Sequence, residues 1–215
     1  MGMEQTTELR DYDRLLKTAG GHITTVTPRP DLVQVAAEAG VSIDRARELF
    51  ADDDALAAAL VQEQMMMLTD AVTRGATAAP ADNALARLRA TAHAYLDWFL
   101  DNPRLAQLLI HPPAMDAAVE ADVRRFSTGI YNFAQSMIEQ ARAEGQIRQD
   151  IDVATVLLTM RALTIGISRL QDVDYAWLWE DPEDPKTALR RVMDDYFALA
   201  TALPSAEPTS PDAEG

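Results

Sequence analysis

The chain has 215 residues, enough to bury a sizeable core in one domain of roughly 150 residues with a small extra module. Its 48% hydrophobic content is ordinary for a soluble protein, and a net charge of −15 argues against general affinity for nucleic acid or anionic membrane. Without cysteine, disulfides and thiol chemistry are excluded. No apolar run reaches the ~18 to 20 residues of a membrane span, since even the stretch 153–167 contains Arg161. Acidic residues come early and no apolar leader core is visible, so a cytoplasmic protein without membrane attachment is the expectation.

Residues 7–19 read as a first helix, with Leu9, Tyr12, Leu15 and Leu16 in register and Gly20-Gly21 ending it. Residues 22–30, with Pro28 and Pro30 barring helix, form a loop. The stretch 31–50 then spells two short helices around a tight turn. Asp31 can accept from the free N–H groups of a first turn, and Leu32, Val35 and Ala36 fall on one face. Gly40 supplies the left-handed residue that stops this helix, and Ser42 caps the next. There Ala46, Leu49 and Phe50 return to the core, while Ile43, Asp44, Arg45, Arg47 and Glu48 point outward, as a recognition helix offers a face to the DNA major groove.

Val35-Ala36-Ala37-Glu38-Ala39-Gly40-Val41-Ser42, with Phe50 eight residues past the serine and Asp54-Ala55-Leu56 opening the next helix, resembles the TetR family of bacterial regulators. The resemblance implies an all-α fold of about nine helices: a three-helix helix-turn-helix head over residues 1–52, a helical ligand-binding and dimerisation body over 53–203, and a tail over 204–215. It also implies a homodimeric regulator, with repression the commoner mode in the family, that binds operator DNA and responds to an apolar small molecule. Ser42, Ile43, Asp44, Arg45, Arg47 and Asp31 are the DNA-contact candidates. Arg47 stands where the family usually has a phosphate-contacting Tyr, and Asp53 where it usually has a Lys. The first 64 residues carry six basic and twelve acidic side chains, a net −6, which lacks the electrostatic footprint that phosphate neutralisation requires. An alternative therefore stands beside the regulator: the same fold with a degenerate acidic head, serving as a ligand-binding or protein-interaction module. Asp52-Asp53-Asp54 reads as a helix cap, and a cap and a lost DNA contact can both hold.

From Asp53 to about Thr73, Leu56, Leu60, Gln64, Met67 and Ala71 make a long helix stopped near Gly75. Three adjacent methionines, 65–67, cannot all face one way; at least one should face the body, in core packing or on an adaptable cavity. A linker over 76–81 precedes a fifth helix capped at Asp82 or Asn83, and Asp101-Asn102-Pro103 opens a short sixth helix with Leu105, Leu108 and Leu109 inward. After His111-Pro112-Pro113 a helix of about thirty residues carries Val119, Val123, Phe126, Ile130, Phe133, Met137, Ile138 and Ala141 as its apolar stripe. A stop near Gly145 and a cap at Asp152 lead into a helix from Val153 to about Leu170, apolar on nearly all sides, which must be buried twice over. Tyr175, Trp177 and Trp179 lie in the following link, and a last helix, capped near Asp184, runs through Leu189, Val192, Met193, Tyr196 and Phe197. The tail 204–215, with three prolines and no large apolar side chain, reads as disordered.

The family pairs its last two helices with their twofold mates, and the apolar faces here permit that arrangement. Around the central cavity that the resemblance implies, the pocket candidates are Met67, Tyr95, Trp98, Phe99, Phe126, Tyr131, Phe133, Met137 and Met160. Each is also compatible with ordinary core packing. His22, His93 and His111 are far apart, and only His93 has a partner within one turn, Asp97; a hydrogen bond fits that pair better than a metal site. With no glycine-rich phosphate loop and no nucleophile elbow, neither catalysis nor a cofactor is expected.

Overall fold

The computed structural model describes residues 2–23, 29–112, 115–172 and 185–202, and these are helical with no strand among them. The helices are α1 (Gly2–His22), α2 (Leu32–Ala39), α3 (Ile43–Leu49), α4 (Asp53–Ala78), α5 (Ala84–Asp101), α6 (Pro103–Ile110), α7 (Ala117–Ala143), α8 (Val153–Asp172) and α9 (Pro185–Thr201). None is long and apolar enough to cross a membrane. The expected details over 24–28, the link bearing Tyr175, Trp177 and Trp179, the cap at Asp184 and the tail 204–215 lie outside the described residues.

The N-terminal helices close on a shared core in which Leu15, Ala19, Ile23, Val35 and Ala46 are fully buried. Tyr12 stacks on Phe50 with ring centroids 5.1 Å apart, which fixes the end of α3 against α1. The same core takes in Leu56, Leu60 and Val61 of α4 and Leu108 of α6, so the head packs continuously onto the body. The Gly20-Gly21 pair does not end α1, contrary to expectation; the helix continues to His22. Two glycines inside a helix weaken it by about 1 kcal/mol each relative to alanine. Continuation delivers Ile23 into complete burial, so tertiary packing outweighs the local preference.

A second correction concerns α4, which passes through Gly75 and ends at Ala78. Gly75 is a contact residue: a Cβ there would sit 2.6 Å from the Ala94 Cβ and 2.8 Å from the Ala90 carbonyl oxygen of α5. Its missing side chain lets α4 and α5 approach closely. The buried row of α4 runs Leu60, Gln64, Leu68, Val72, Ala76, in steps of four. The expected step of three from Gln64 to Met67 leaves that row: Met67 is 47% exposed and Met66 57%, while Met65 alone of the three is buried.

In the body, α5 is the central helix. Its Leu88 and Ala92 pack with Met137, Ile138 and Ala141 of α7 and Phe197 of α9; its Leu96 and Leu100 pack with Ile167 of α8 and Leu189 and Met193 of α9. Two polar links also join α5 to α9. Arg190 donates Nε and Nη2 to the two oxygens of Asp97, each at 2.7 Å, and His93 Nε2 meets Asp194 Oδ1 at 2.8 Å. The expected His93–Asp97 pair is therefore replaced by two pairs across helices, because opposing helices bring Asp194 and Arg190 closer than one turn along α5 does.

The stop after α7 has the form expected. Gly145 takes φ 69°, its N–H donates to the Arg142 carbonyl at 3.0 Å, and the Gln146 N–H donates to the Ala141 carbonyl at 2.9 Å, a Schellman closure. Asp152 then caps α8 through the N–H groups of Ala154 and Thr155.

The contrast between two helical glycines gives a direct test. Gly75→Val is expected to lower stability by about 1–3 kcal/mol through overpacking. Gly129→Ala, on an exposed position of α7 with nothing within 4 Å of an added Cβ, is expected to raise it by up to about 1 kcal/mol. Urea midpoints at one fixed protein concentration read both.

Candidate functional site

Two places carry the candidate residues: the outer face of the head and a cavity in the body. In the head, Asp31 accepts from the N–H groups of Val33 at 2.8 Å and Gln34 at 3.1 Å. The Leu32 N–H donates to Asp53 Oδ1 at 2.9 Å, across from the start of α4. Thus the first turn of α2 has its donors taken by two carboxylates. Such a helix start, which in other proteins is open to a phosphate, here already holds negative charge. Gly40 sits at φ 67° and Val41 donates to the Ala36 carbonyl at 3.0 Å, so the turn between α2 and α3 is closed by backbone alone. Ser42 accepts from the Arg45 N–H at 3.3 Å and opens α3.

The acidic triplet divides its work. Asp52 caps α4 by accepting from the Ala55 N–H at 2.9 Å, Asp53 holds α2, and Asp54 pairs with Arg29 at 3.1 Å. On α3, Asp44, Arg47 and Glu48 are exposed. Arg47 has no ion-pair partner among the described residues. Arg45 is bent back: its Nη1 donates to Glu48 at 2.7 Å and its Nε lies 3.6 Å from Asp11 of α1. Ile43, expected to point outward, is half-buried against the head core, because α3 is only seven residues long and its first turn still lies over α1 and α2.

The body cavity has a volume of about 140 Å³ and lies between the inward stripes of three helices. From α5 come Leu88, Thr91, Ala92, Tyr95 and Phe99; from α7 Ser127, Ile130, Tyr131 and Ala134; from α8 Leu157, Met160, Arg161, Thr164 and Ile165. Met65 and Leu68 of α4, Leu109 and Ile110 of α6 and Met193 of α9 complete it. Each of the three main sets follows helical spacing. Tyr131 and Arg161 are exposed and form the rim, while Leu88, Thr91, Leu157 and Thr164 are buried. Burial pushes the Tyr95 phenol above its ordinary value, and the positive charge of Arg161 acts in the opposite direction.

Of the nine pocket candidates, Tyr95, Phe99, Tyr131 and Met160 are on the wall. The other five are elsewhere. Met67 faces away on α4, and Met65 takes the wall position. Trp98 is buried edge-on to Phe99, centroids 5.3 Å apart, in a cluster with Leu68, Val72 and Ala106. Phe133 packs between two core clusters, Met137 is buried with its sulfur 3.8 Å from the Thr91 hydroxyl, which donates to the Arg87 carbonyl at 2.8 Å, and Phe126 lies beneath the Arg125 guanidinium at 5.6 Å. Residue type alone does not separate wall from core: Trp98 and Phe133 sit beside wall positions on the same helices yet pack into the core clusters. The missed aliphatic positions Leu88, Ile130 and Leu157 were available from the same spacing rule. Among the described residues no group of three or more His, Asp or Glu is arranged to hold a metal.

Removing the tie between α2 and α4 tests its weight. Asp53→Ala is expected to cost about 1 kcal/mol and to speed amide exchange at Leu32, read by nuclear magnetic resonance.

No protein-family model matches the sequence, and no curated protein matches it. Solved structures do. A protein of unknown function from Rhodococcus sp. RHA1 superposes with a TM-score of 0.70 at 24% identity, over 89% of this chain and 95% of that one. A bacterial regulatory protein in the TetR family from Rhodococcus RHA1 gives 0.61 at 20% identity, over 90% and 96%. The transcriptional regulator FadR from Bacillus subtilis, in complex with stearoyl-CoA, gives 0.61 at 12% identity, over 90% and 97%. The chain thus has a TetR-like, all-α fold.

Proposed function

From the premise of that fold, we propose that the chain is a transcriptional regulator that binds operator DNA as a homodimer and changes its DNA affinity when a small molecule fills the body cavity. Leu109 of α6 carries this reading. It packs against the core cluster of the head and also lines the cavity, so occupancy of the cavity bears on a side chain the head rests on. Coupling of this kind is a population shift, and its size is set by how much better the ligand binds one head arrangement than the other. The stearoyl-CoA complex of the FadR neighbour supports a small-molecule ligand with an apolar part. Arg47, exposed on α3, is the proposed phosphate contact, and the Ser42–Arg47 stretch the reading surface.

The proposed dimer uses α8 and α9. On these helices Leu158, Val192 and Leu199 are 68%, 40% and 77% exposed, and Ala154, Ala162 and Gly166 beside Leu158 allow a close helix approach. Such a self-complementary apolar face suits a twofold interface. The variant carrying Leu158→Asp and Leu199→Asp is expected to sediment as a monomer at concentrations where the parent is a dimer. A monomeric parent would remove the dimer from the proposal.

A second reading is favoured by a specific observation: Asp53 fills the start of α2 with a carboxylate, Arg45 is engaged by Glu48 and Asp11, and the head is net acidic. In that reading the head no longer binds DNA. A shift assay on DNA from just upstream of the protein's own coding region separates the two. The regulator should bind at about 50 mM salt, weaken steeply by about 200 mM, and lose about tenfold in affinity with Arg47→Ala. A folded dimer that gives no shift at low salt across a randomised DNA pool supports the degenerate head instead.

A further inference from the structure

The wall of the cavity carries charge of one sign in a chain of the other. The chain is net −15, yet among the described residues no Asp or Glu lines the cavity and Arg161 is the single charged residue there. Arg161 is exposed on α8, four residues after the buried Leu157, so its guanidinium stands where the apolar interior meets water. No carboxylate pairs with it among the described residues. Tyr95 lines the same cavity as Arg161, whose charge acts on its phenol, and the phenol O–H can donate. Tyr131 adds a second hydroxyl at the rim. Below these, Leu88, Leu157 and Met160 offer only apolar surface.

The volume limits what fits. At about 140 Å³ the cavity is close to the size of apolar cavities, roughly 150 Å³, that take up one benzene-sized molecule. A guanidinium beside an apolar floor, with no carboxylate partner among the described residues, favours a planar anion, because two parallel N–H donors match a carboxylate and a neutral head group cannot replace that charge-assisted pairing.

We propose that the cavity binds a small organic carboxylate whose apolar body has about six carbons, a single ring or a short alkyl chain, with the carboxylate on Arg161 and the body against Leu88, Leu157 and Met160. This rests on the cavity being the ligand site of the proposed regulator, and it narrows the ligand from apolar to anionic and sets its size. Tyr95 and Tyr131 donate to the carboxylate oxygens. A long acyl chain exceeds the volume.

Titration calorimetry on the full chain with hexanoate, hexan-1-ol and octadecanoate tests it, in buffers of matched ionic strength. Hexanoate is expected to bind about tenfold or more tightly than hexan-1-ol. Arg161→Gln, an exposed change that leaves the helix intact by circular dichroism, should bring hexanoate down to the alcohol's affinity and leave the alcohol unchanged. Leu157→Trp, which fills the cavity, should remove both. Equal affinity for acid and alcohol, or a preference that survives Arg161→Gln, overturns the anionic ligand while leaving the cavity as the ligand site. Tighter binding of octadecanoate than of hexanoate overturns the size limit. Absence of binding by all three probes at millimolar concentration to a folded parent overturns this inference, and binding of any probe that survives Leu157→Trp overturns the cavity itself.

Discussion

The eight residues of α6 satisfy two sets of neighbours, and the rest of the molecule is arranged around that double commitment. Leu108 is completely buried in the core that α1, α2 and α3 build, Ala106 is buried among Trp98, Phe99 and Leu68 of the body, and Leu109 and Ile110 form part of the cavity wall. A helix this short is marginal in isolation and owes its stability to packing. It is pinned at its start by Pro103 and at its end by the turn through His111, whose ring accepts from Arg169 of α8 at 2.6 Å. Because close-packed interiors do not deform continuously, a change on the cavity side of α6 is felt on the head side as a shift of packed side chains.

In the head, stability and DNA affinity draw on the same groups with opposite demands. The carboxylates of Asp31, Asp52 and Asp53 satisfy backbone donors at the starts of α2 and α4, each a favourable use of negative charge at a helix N-terminus. Asp11, buried on α1, lies beside Arg14 and Arg45, which draws Arg45 back against the head. The consequence is a well-capped head whose outward face keeps Arg47 as its exposed cation on α3. Local rules that agree with the fold can still conflict with a charge requirement set by a partner.

The body shows the converse. Two of its polar links, Arg190 with Asp97 and His93 with Asp194, join α5 to α9, and the cavity wall is mostly apolar, with Thr91 and Thr164 as its buried hydroxyls. Gly75 lets α4 close on α5 on one side, and the stripes of α5, α7 and α8 stand apart on the other. A void persists there because the residues facing it across the three helices, Ala92, Ala134 and Thr164 among them, are too small to fill it.

What the sequence determined by itself was set by short-range chemistry. The turn at Gly40, the caps at Asp31, Ser42, Asn83 and Asp152, the stop at Gly145 and the proline that opens α6 are all satisfied within a few residues of where they are written, so each was legible without a third dimension. What only the tertiary structure decided depended on partners distant in sequence. Gly20-Gly21 and Gly75 read as stops, but α1 runs on to His22 and α4 to Ala78, because burial of Ile23 and the approach of α5 outweigh a local penalty of about 1 kcal/mol per glycine. Asp53 ties to a backbone amide twenty-one residues away, and His93 to a carboxylate on another helix. Which methionine meets the cavity, and that Arg161 stands at its mouth, follow from how three helices are rotated against one another, a choice made by the packing of all three together.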